Sequence, residues 1–136
     1  MITQQFIILP AFKRGMHLIT SEIEKVLTNL PEVGMVNIFI KHTSASITLN
    51  ENADPSVRSD FNNFINKLIP DNTNYFKHID EGRDDMPSHI KHSMFGSSVT
   101  IPISDYRLNL GVWQGVYLLE FRDYSKPRNI VITIYS

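Results

Sequence analysis

At 136 residues the chain has the length of one domain with one core, and 42% apolar against 20% charged residues is ordinary for a globular protein. A formal net charge of −1 gives no bulk attraction for nucleic acid or an anionic membrane, and the absence of Cys excludes disulfides, thiolate metal sites and Cys nucleophiles. No apolar run reaches the ~18 residues of a spanning helix, and "MITQQFIILP" lacks the basic and apolar regions of a signal peptide, so the expectation is a soluble cytoplasmic domain with neither nucleic acid nor membrane as partner.

Gln4 to Pro10 is short, apolar and closed by Pro, which predicts a strand. Ser21 followed by Glu24 has capping-box spacing, and Ile23, Val26, Leu27 and Leu30 repeat at helical intervals until Pro31. From Gly34 to Asn52 the chain alternates, with Val36, Ile38 and Ile40 on one side, which predicts two strands or one long bent strand. Asp54-Pro55 marks a helix start, with Asp as N-cap and Pro at the first helical position. Its buried stripe is predicted to be Val57, Phe61, Phe64, Ile65 and Leu68, with Pro70 as the stop. Pro87 suits the first turn of a third helix running to about Phe95, closed by Gly96. After Ser97, "SVTIPI", "RLNLGVWQGVYLLEFRD" and "RNIVITIYS" read as antiparallel strands. The predicted class is α+β around a mainly antiparallel sheet, in a single domain over residues 1–136.

Three segments carry chemistry. In the first, His42, Thr43, Ser44 and Ser46 lead to Asn50, Glu51, Asn52 and Asp54. Clustered hydroxyls can donate to one anion and Glu51 can serve as base or metal ligand, although such residues also suit a strand-to-turn junction. In the second, Asp80, Glu81, Asp84 and Asp85 stand among His78, His89 and His92, with His89 and His92 three apart on one helix face. Imidazole is the commonest metal ligand, a carboxylate beside it fixes its tautomer, and a helix start offers free N–H groups to a phosphate. The alternative is a solvated acidic loop before a surface helix. In the third, Gly111 and Gly115 flank Trp113 and Gln114, which suggests a bulge or close backbone approach. Trp113 is more often core than a ligand platform, and Gln114 is a candidate to read a ligand edge. His17 has no acidic neighbours and reads as structural, while Arg58, Arg83 and Arg107 are candidate anion clamps.

"HTSASITLNENAD" (His42 to Asp54), "HIDEGRDDMPSHIK" (His78 to Lys91), "GSSVTIPI" (Gly96 to Ile103) and "LGVWQGVYLLEFRD" (Leu110 to Asp123) together resemble the YjbQ family, UPF0047. The resemblance is collinear and spans Phe6 to Tyr135. The chain departs from the family pattern at Tyr106, where Gly is usual, at Val112, where Thr is usual, and at His92, where a small or apolar residue is common. The resemblance implies a compact α+β sandwich that forms a homotrimer with its sheets packed around a three-fold axis. It also implies a weak, secondary thiamine-phosphate synthase activity, which joins hydroxymethylpyrimidine diphosphate to a thiazole phosphate with release of diphosphate.

On that reading His89, Asp85, Glu51 and His78 are the catalytic candidates, and His42, His78 and His89 the ligands for a divalent metal, zinc or magnesium. Thr43, Ser44, Ser46, Asn52, Ser97, Ser98 and Gln114 are the candidates for binding a phosphorylated metabolite. Two other classes remain: a histidine-metal hydrolase with Glu51 or Asp85 as base, and a non-catalytic trimeric binding protein for a phosphorylated metabolite.

Overall fold

Strands dominate because β-branched residues recur with period two, and each run is cut by Pro, Gly or a polar cluster. The computed structural model describes residues 1–136 as eight strands and three helices. In chain order these are β1 (Ile2–Leu9), β2 (Gly15–Leu18), α1 (Thr20–Val26), β3 (Val33–Ile40), β4 (Ala45–Glu51), α2 (Pro55–Leu68), α3 (Asp85–Phe95), β5 (Ser98–Ser104), β6 (Arg107–Leu108), β7 (Gln114–Glu120) and β8 (Arg128–Tyr135). They form two antiparallel sheets, ordered β1-β8-β3-β5-β6 and β2-β7-β4. The α+β class with antiparallel sheets is therefore as predicted.

The main core lies between the sheets. Val36, Ile38 and Ile40 of β3, Ile101 and Ile103 of β5, and Ile130, Ile132 and Ile134 of β8 meet Ala45, Ile47, Val116 and Leu118 of the smaller sheet. Ile19, Ile23 and Leu27 seal one end. Central strand β7 is buried on both faces: its alternate residues Tyr117 and Leu119, with Phe121 beyond, join Met16 in a second cluster under Phe61 of α2 and Phe95 of α3. That double burial explains why apolar residues run without alternation through "VYLL". At Gly115 an added Cβ would lie 2.5 Å from Leu18 and 3.0 Å from Asn52, so the close approach expected of this glycine is real.

Some local expectations are met and others corrected. The polar residues 41–44 split the alternating segment into β3 and β4, the two-strand form of the expectation. β2 was not anticipated; four residues are too few for a periodic signal, and it exists because β7 offers it an edge. Helix α1 stops at Val26 rather than running to Pro31, because the Leu27 N–H turns back to Glu24. No capping box forms there, since Ser21 Oγ donates to Glu22. For α2 the cap is as predicted, with Asp54 accepting from the Ser56 N–H at 2.9 Å. Of its predicted buried stripe, however, only Ile65 is buried, and Phe64 and Leu68 face solvent. Helix α3 begins at Asp85, so Pro87 lies in its first turn as predicted, and it ends at Phe95 before Gly96. The long strand expected from Arg107 is two strands, β6 and β7, joined through an irregular Gly111 turn.

The turn between β5 and β6 is Asp105-Tyr106, both at positive φ (51° and 62°), the conformation that lets a two-residue hairpin follow strand twist. Glycine adopts it without steric cost, whereas Tyr106 holds a side chain in the left-handed region.

The outer face of the larger sheet is bare. By register it carries three rows: Phe6, Val131 and Phe39; then Gln4, Thr133, Asn37 and Thr100; then Ile2, Tyr135 and Met35. The middle row is laced by hydrogen bonds from Gln4 to Thr133 at 3.0 Å and from Asn37 to Thr100 at 3.1 Å. The flanking rows are apolar, with Phe6, Ile2, Met35 and Phe39 exposed. No helix is long and apolar enough to cross a membrane.

Candidate functional site

The acidic segment folds back so that its carboxylates sit under the last turn of β7. Ser88 Oγ donates to the Phe121 carbonyl at 3.1 Å, and the Asp123 N–H donates to Asp84 Oδ2 at 2.8 Å, which pins the start of α3 to the sheet. Asp85, at the first position of α3, is 1% exposed. Its Oδ2 lies 2.6 Å from His78 Nε2 and 3.0 Å from His89 Nε2, one turn further along the helix. Ligand atoms of His78, Asp85 and His89 all fall within 4.8 Å of one another, close enough for one ion. Glu81 Oε2 stands 3.8 Å from His78 Nε2, at the rim.

The outer contacts decide what this cluster can do. His89 Nδ1 donates to the Thr43 carbonyl at 2.8 Å, which leaves the Nε2 lone pair facing Asp85 Oδ2. A lone pair and a carboxylate oxygen repel at that distance unless a cation, proton or metal, lies between them. The other carboxylate oxygen is held by Arg122 Nη1, while Arg122 Nε donates to Asp84 at 3.1 Å and Nη2 to the Glu81 carbonyl at 2.7 Å. Burial raises the carboxyl pKa of Asp84, but the Asp123 N–H bond and Arg122 outweigh it and hold the group below its ordinary value. Burial also acts on Asp85 and is outweighed by the hydrogen bond from His78 and by the charges of His89 and Arg122, so its pKa too is lowered.

Two imidazole nitrogens and one oxygen, with the second nitrogen of His89 tied to backbone and the second oxygen of Asp85 tied to an Arg, fit a borderline divalent ion such as zinc. Magnesium, which prefers oxygen in octahedral array, fits them less well.

Other candidates lie elsewhere. His42 is not in the cluster; its Nε2 accepts from the Asn129 N–H at 2.8 Å. Burial, then the charge of Arg128, lowers its pKa. Thr43 contributes a carbonyl rather than its hydroxyl, and the Ser44 carbonyl accepts from Arg128 at 3.4 Å. Ser46 and Ser97 gather on His92, whose Nδ1 donates to the Ala45 carbonyl at 2.6 Å while Ser97 Oγ meets Nε2 at 3.2 Å. Ser98 begins β5 on the bare sheet face, opposite Phe39.

The far end of β4 holds the rest. Glu51 Oε2 accepts from the Asp54 N–H at 3.3 Å and braces the start of α2. Asn52 Nδ2 donates to the Gln114 carbonyl at 3.1 Å, and Gln114 Oε1 accepts from the Gly111 N–H at 2.8 Å, so both side chains shape a turn. Trp113 is 62% exposed rather than core. His17 is structural as expected, packed on Phe12 at 4.8 Å and bonded to the Lys13 carbonyl at 2.5 Å.

Arg122 was missed by sequence reading, and so was Arg128, whose guanidinium grips the buried Glu120 through Nε at 2.8 Å and Nη2 at 2.5 Å. For Arg122 the available signal was its place two residues after Glu120 at the end of a largely apolar strand, "VYLLEFR", where a charged pair has little reason to stand unless it meets partners.

Two antiparallel sheets with a His–Asp–His cluster at a helix start define a small α+β protein with a metal-competent polar site at one sheet's rim. A family model described as UPF0047 protein YjbQ-like matches residues 4–136, and the chain belongs to that family. It is 49% identical over 133 residues to UPF0047 protein YjbQ of Salmonella typhimurium and 47% identical to that of Escherichia coli O157:H7, covering 96% of both chains in each case. Among solved structures, a yjbq/upf0047 family protein of Clostridium acetobutylicum has a TM-score of 0.84 at 35% identity, over 96% of this chain and 98% of that one. A YbjQ-like protein of Sulfolobus solfataricus P2 shares the fold with a TM-score of 0.85 at 22% identity, over 98% and 96% of the two chains.

Proposed function

We propose that this chain is a metal-dependent enzyme acting on phosphorylated small molecules, with thiamine-phosphate synthase chemistry as a secondary activity. The observation that carries the reading is the His89 Nε2 lone pair aimed at Asp85 Oδ2 across 3.0 Å, a geometry that calls for a cation. A bound divalent ion would supply a Lewis acid for a phosphate oxygen.

The chain's own residues do the rest. Asp85, held by Arg122, fixes both imidazoles in place. His78 and His89 would hold the ion through Nε2 beside Asp85, and the ion would offset the charge that gathers on the departing diphosphate. In the transferase step the bond between the pyrimidine methylene carbon and diphosphate breaks, and a bond forms from the thiazole nitrogen to that carbon. Glu51 takes no part in this scheme, because it stands six residues down β4 from Ala45, roughly 20 Å at strand rise.

The reading includes a homotrimer that covers the bare apolar rows of the larger sheet, since exposed contiguous apolar surface of this kind marks contact sites. The test is thiamine phosphate formation from the two phosphorylated precursors by wild type and His89→Ala, with and without chelator. Turnover that chelator suppresses and His89→Ala lacks is the expected result; a folded wild type without turnover overturns the transferase assignment.

A further inference from the structure

On the other side of Arg122 from the histidine cluster lies a second polar cleft, of about 460 Å³, between residues 41–44 and residues 121–127. Its walls include His42, Ser44, Arg122, Lys126 and Arg128. A volume in the range of roughly 300–1,000 Å³ is that of small-molecule sites.

What marks this cleft is an excess of donors. Arg128 is 5% exposed and commits Nε and Nη2 to Glu120 and the Ser44 carbonyl, but its Nη1 has no partner in the protein. His42 uses Nε2 as an acceptor, which places its proton on Nδ1 as a free donor. The Ser44 hydroxyl makes no hydrogen bond, and Lys126 forms no ion pair. Glu81 is the acid at the rim, and its carboxylate is turned toward His78 on the cluster side. The Glu120 carboxylate is consumed beneath Arg128. Four donors from three loop positions and one strand thus line a space whose one carboxylate, Glu81, is turned toward His78. Arg128 Nη1 is not among the buried unpartnered atoms, so it is open to the cleft and free to meet an acceptor there. The chemistry that satisfies all four is a polyoxygen anion, and Arg and Lys over hydroxyls suit phosphate oxygens above all.

We propose that the cleft bounded by His42, Ser44, Lys126 and Arg128 is an anion subsite that holds the phosphoryl end of the ligand, with Arg122 as the wall it shares with the histidine cluster. Its part in turnover rests on the reading of that cluster as the reaction centre; its capacity to bind does not. A diphosphate seated here would reach past Arg122 toward Asp85, so the anion is held by one set of residues and the bond-breaking end by another.

The experiment is calorimetric titration of metal-stripped protein with inorganic pyrophosphate, and separately with inorganic phosphate, at low salt. Wild type is expected to bind pyrophosphate saturably at one site per chain, and phosphate more weakly. Lys126→Glu, at an exposed position that leaves the fold alone, is expected to weaken binding by about tenfold, the loss of one charge-assisted bond. Ser44→Ala is expected to weaken it by a few-fold, and His89→Ala to leave it within about twofold in the absence of metal. Lack of pyrophosphate binding by wild type, or unchanged affinity in Lys126→Glu, overturns the subsite. Zinc titration of the same samples separates the two readings: pyrophosphate binding without zinc binding leaves the subsite standing and removes the metal centre, and the reverse result does the opposite.

Discussion

The two sheets expose very different outer faces. The small sheet turns its outer face to α2 and α3, where Tyr117, Leu119 and Phe121 are buried, and the chemistry sits at its rim. The large sheet turns rows of Phe6, Phe39, Ile2 and Met35 to the outside with nothing over them. Both faces are apolar in sequence, and "FIIL" of β1 reads as buried as "VYLL" of β7. A covered face and an open one are therefore alike to hydrophobic pattern, and only the length of chain available to form a covering layer distinguishes them.

Several changes would break or sharpen that contrast. The largest concerns the pair between the sheets: Glu120→Gln leaves Arg128 buried without its charge partner and is expected to cost roughly 3–5 kcal/mol, read from urea midpoints. On the covered side, His89→Ala is expected to lower zinc affinity at least about 100-fold with little change in melting temperature, because His89 is half-buried and bonds only a carbonyl and Asp85. A His89→Ala protein that binds zinc as wild type does would remove the metal centre. On the open side, Phe39→Asp should convert an assembly to single chains in light scattering while leaving circular dichroism intact. A wild type that is already a single chain would show that the open face stays open.

Smaller effects follow. Lys91 is buried at 1% exposure, donates to Asn66 at 2.8 Å, and has its pKa lowered to about 8 by burial and by Arg14. The folded chain sheds this proton near pH 8 and the unfolded chain near 10.5, so the group makes stability rise with pH across that window. Lys91→Met should abolish the rise and be neutral or stabilising by about 1 kcal/mol at pH 7, measured as denaturant midpoints against pH. Smallest of all, Tyr106→Gly should add up to about 1 kcal/mol by relieving a side chain held at φ 62°.

How far each feature was legible follows from how local its cause is. Asp54-Pro55 announced α2 because a cap is made by neighbours in sequence. The cluster of His78, Asp85 and His89 was legible for the same reason, since one short segment supplies all three. Arg122, 37 residues from Asp85, was not, because nothing in a strand-end Arg says which carboxylate the next layer will bring. Glu51, Asn52 and Gln114 were grouped with the site although they shape the far end of β4, since an extended strand carries the two ends of one motif apart. The stripe predicted on α2 was half right: Ile65 turns inward while Phe64 and Leu68 face solvent.

One feature of α3 bears on how the centre would respond to a ligand. His89 and His92 both donate Nδ1 to the chain entering β4, at the Thr43 carbonyl just before the strand and the Ala45 carbonyl at its first residue. Two anchor points remove pivoting as well as sliding, so the helix that carries the cluster is clamped before anything binds. Ligand entry then requires little reorganisation of the chain, the entropic cost of assembling the centre having been met on folding. Such a centre should load at a rate set by encounter and dehydration of the ion, with a single kinetic phase.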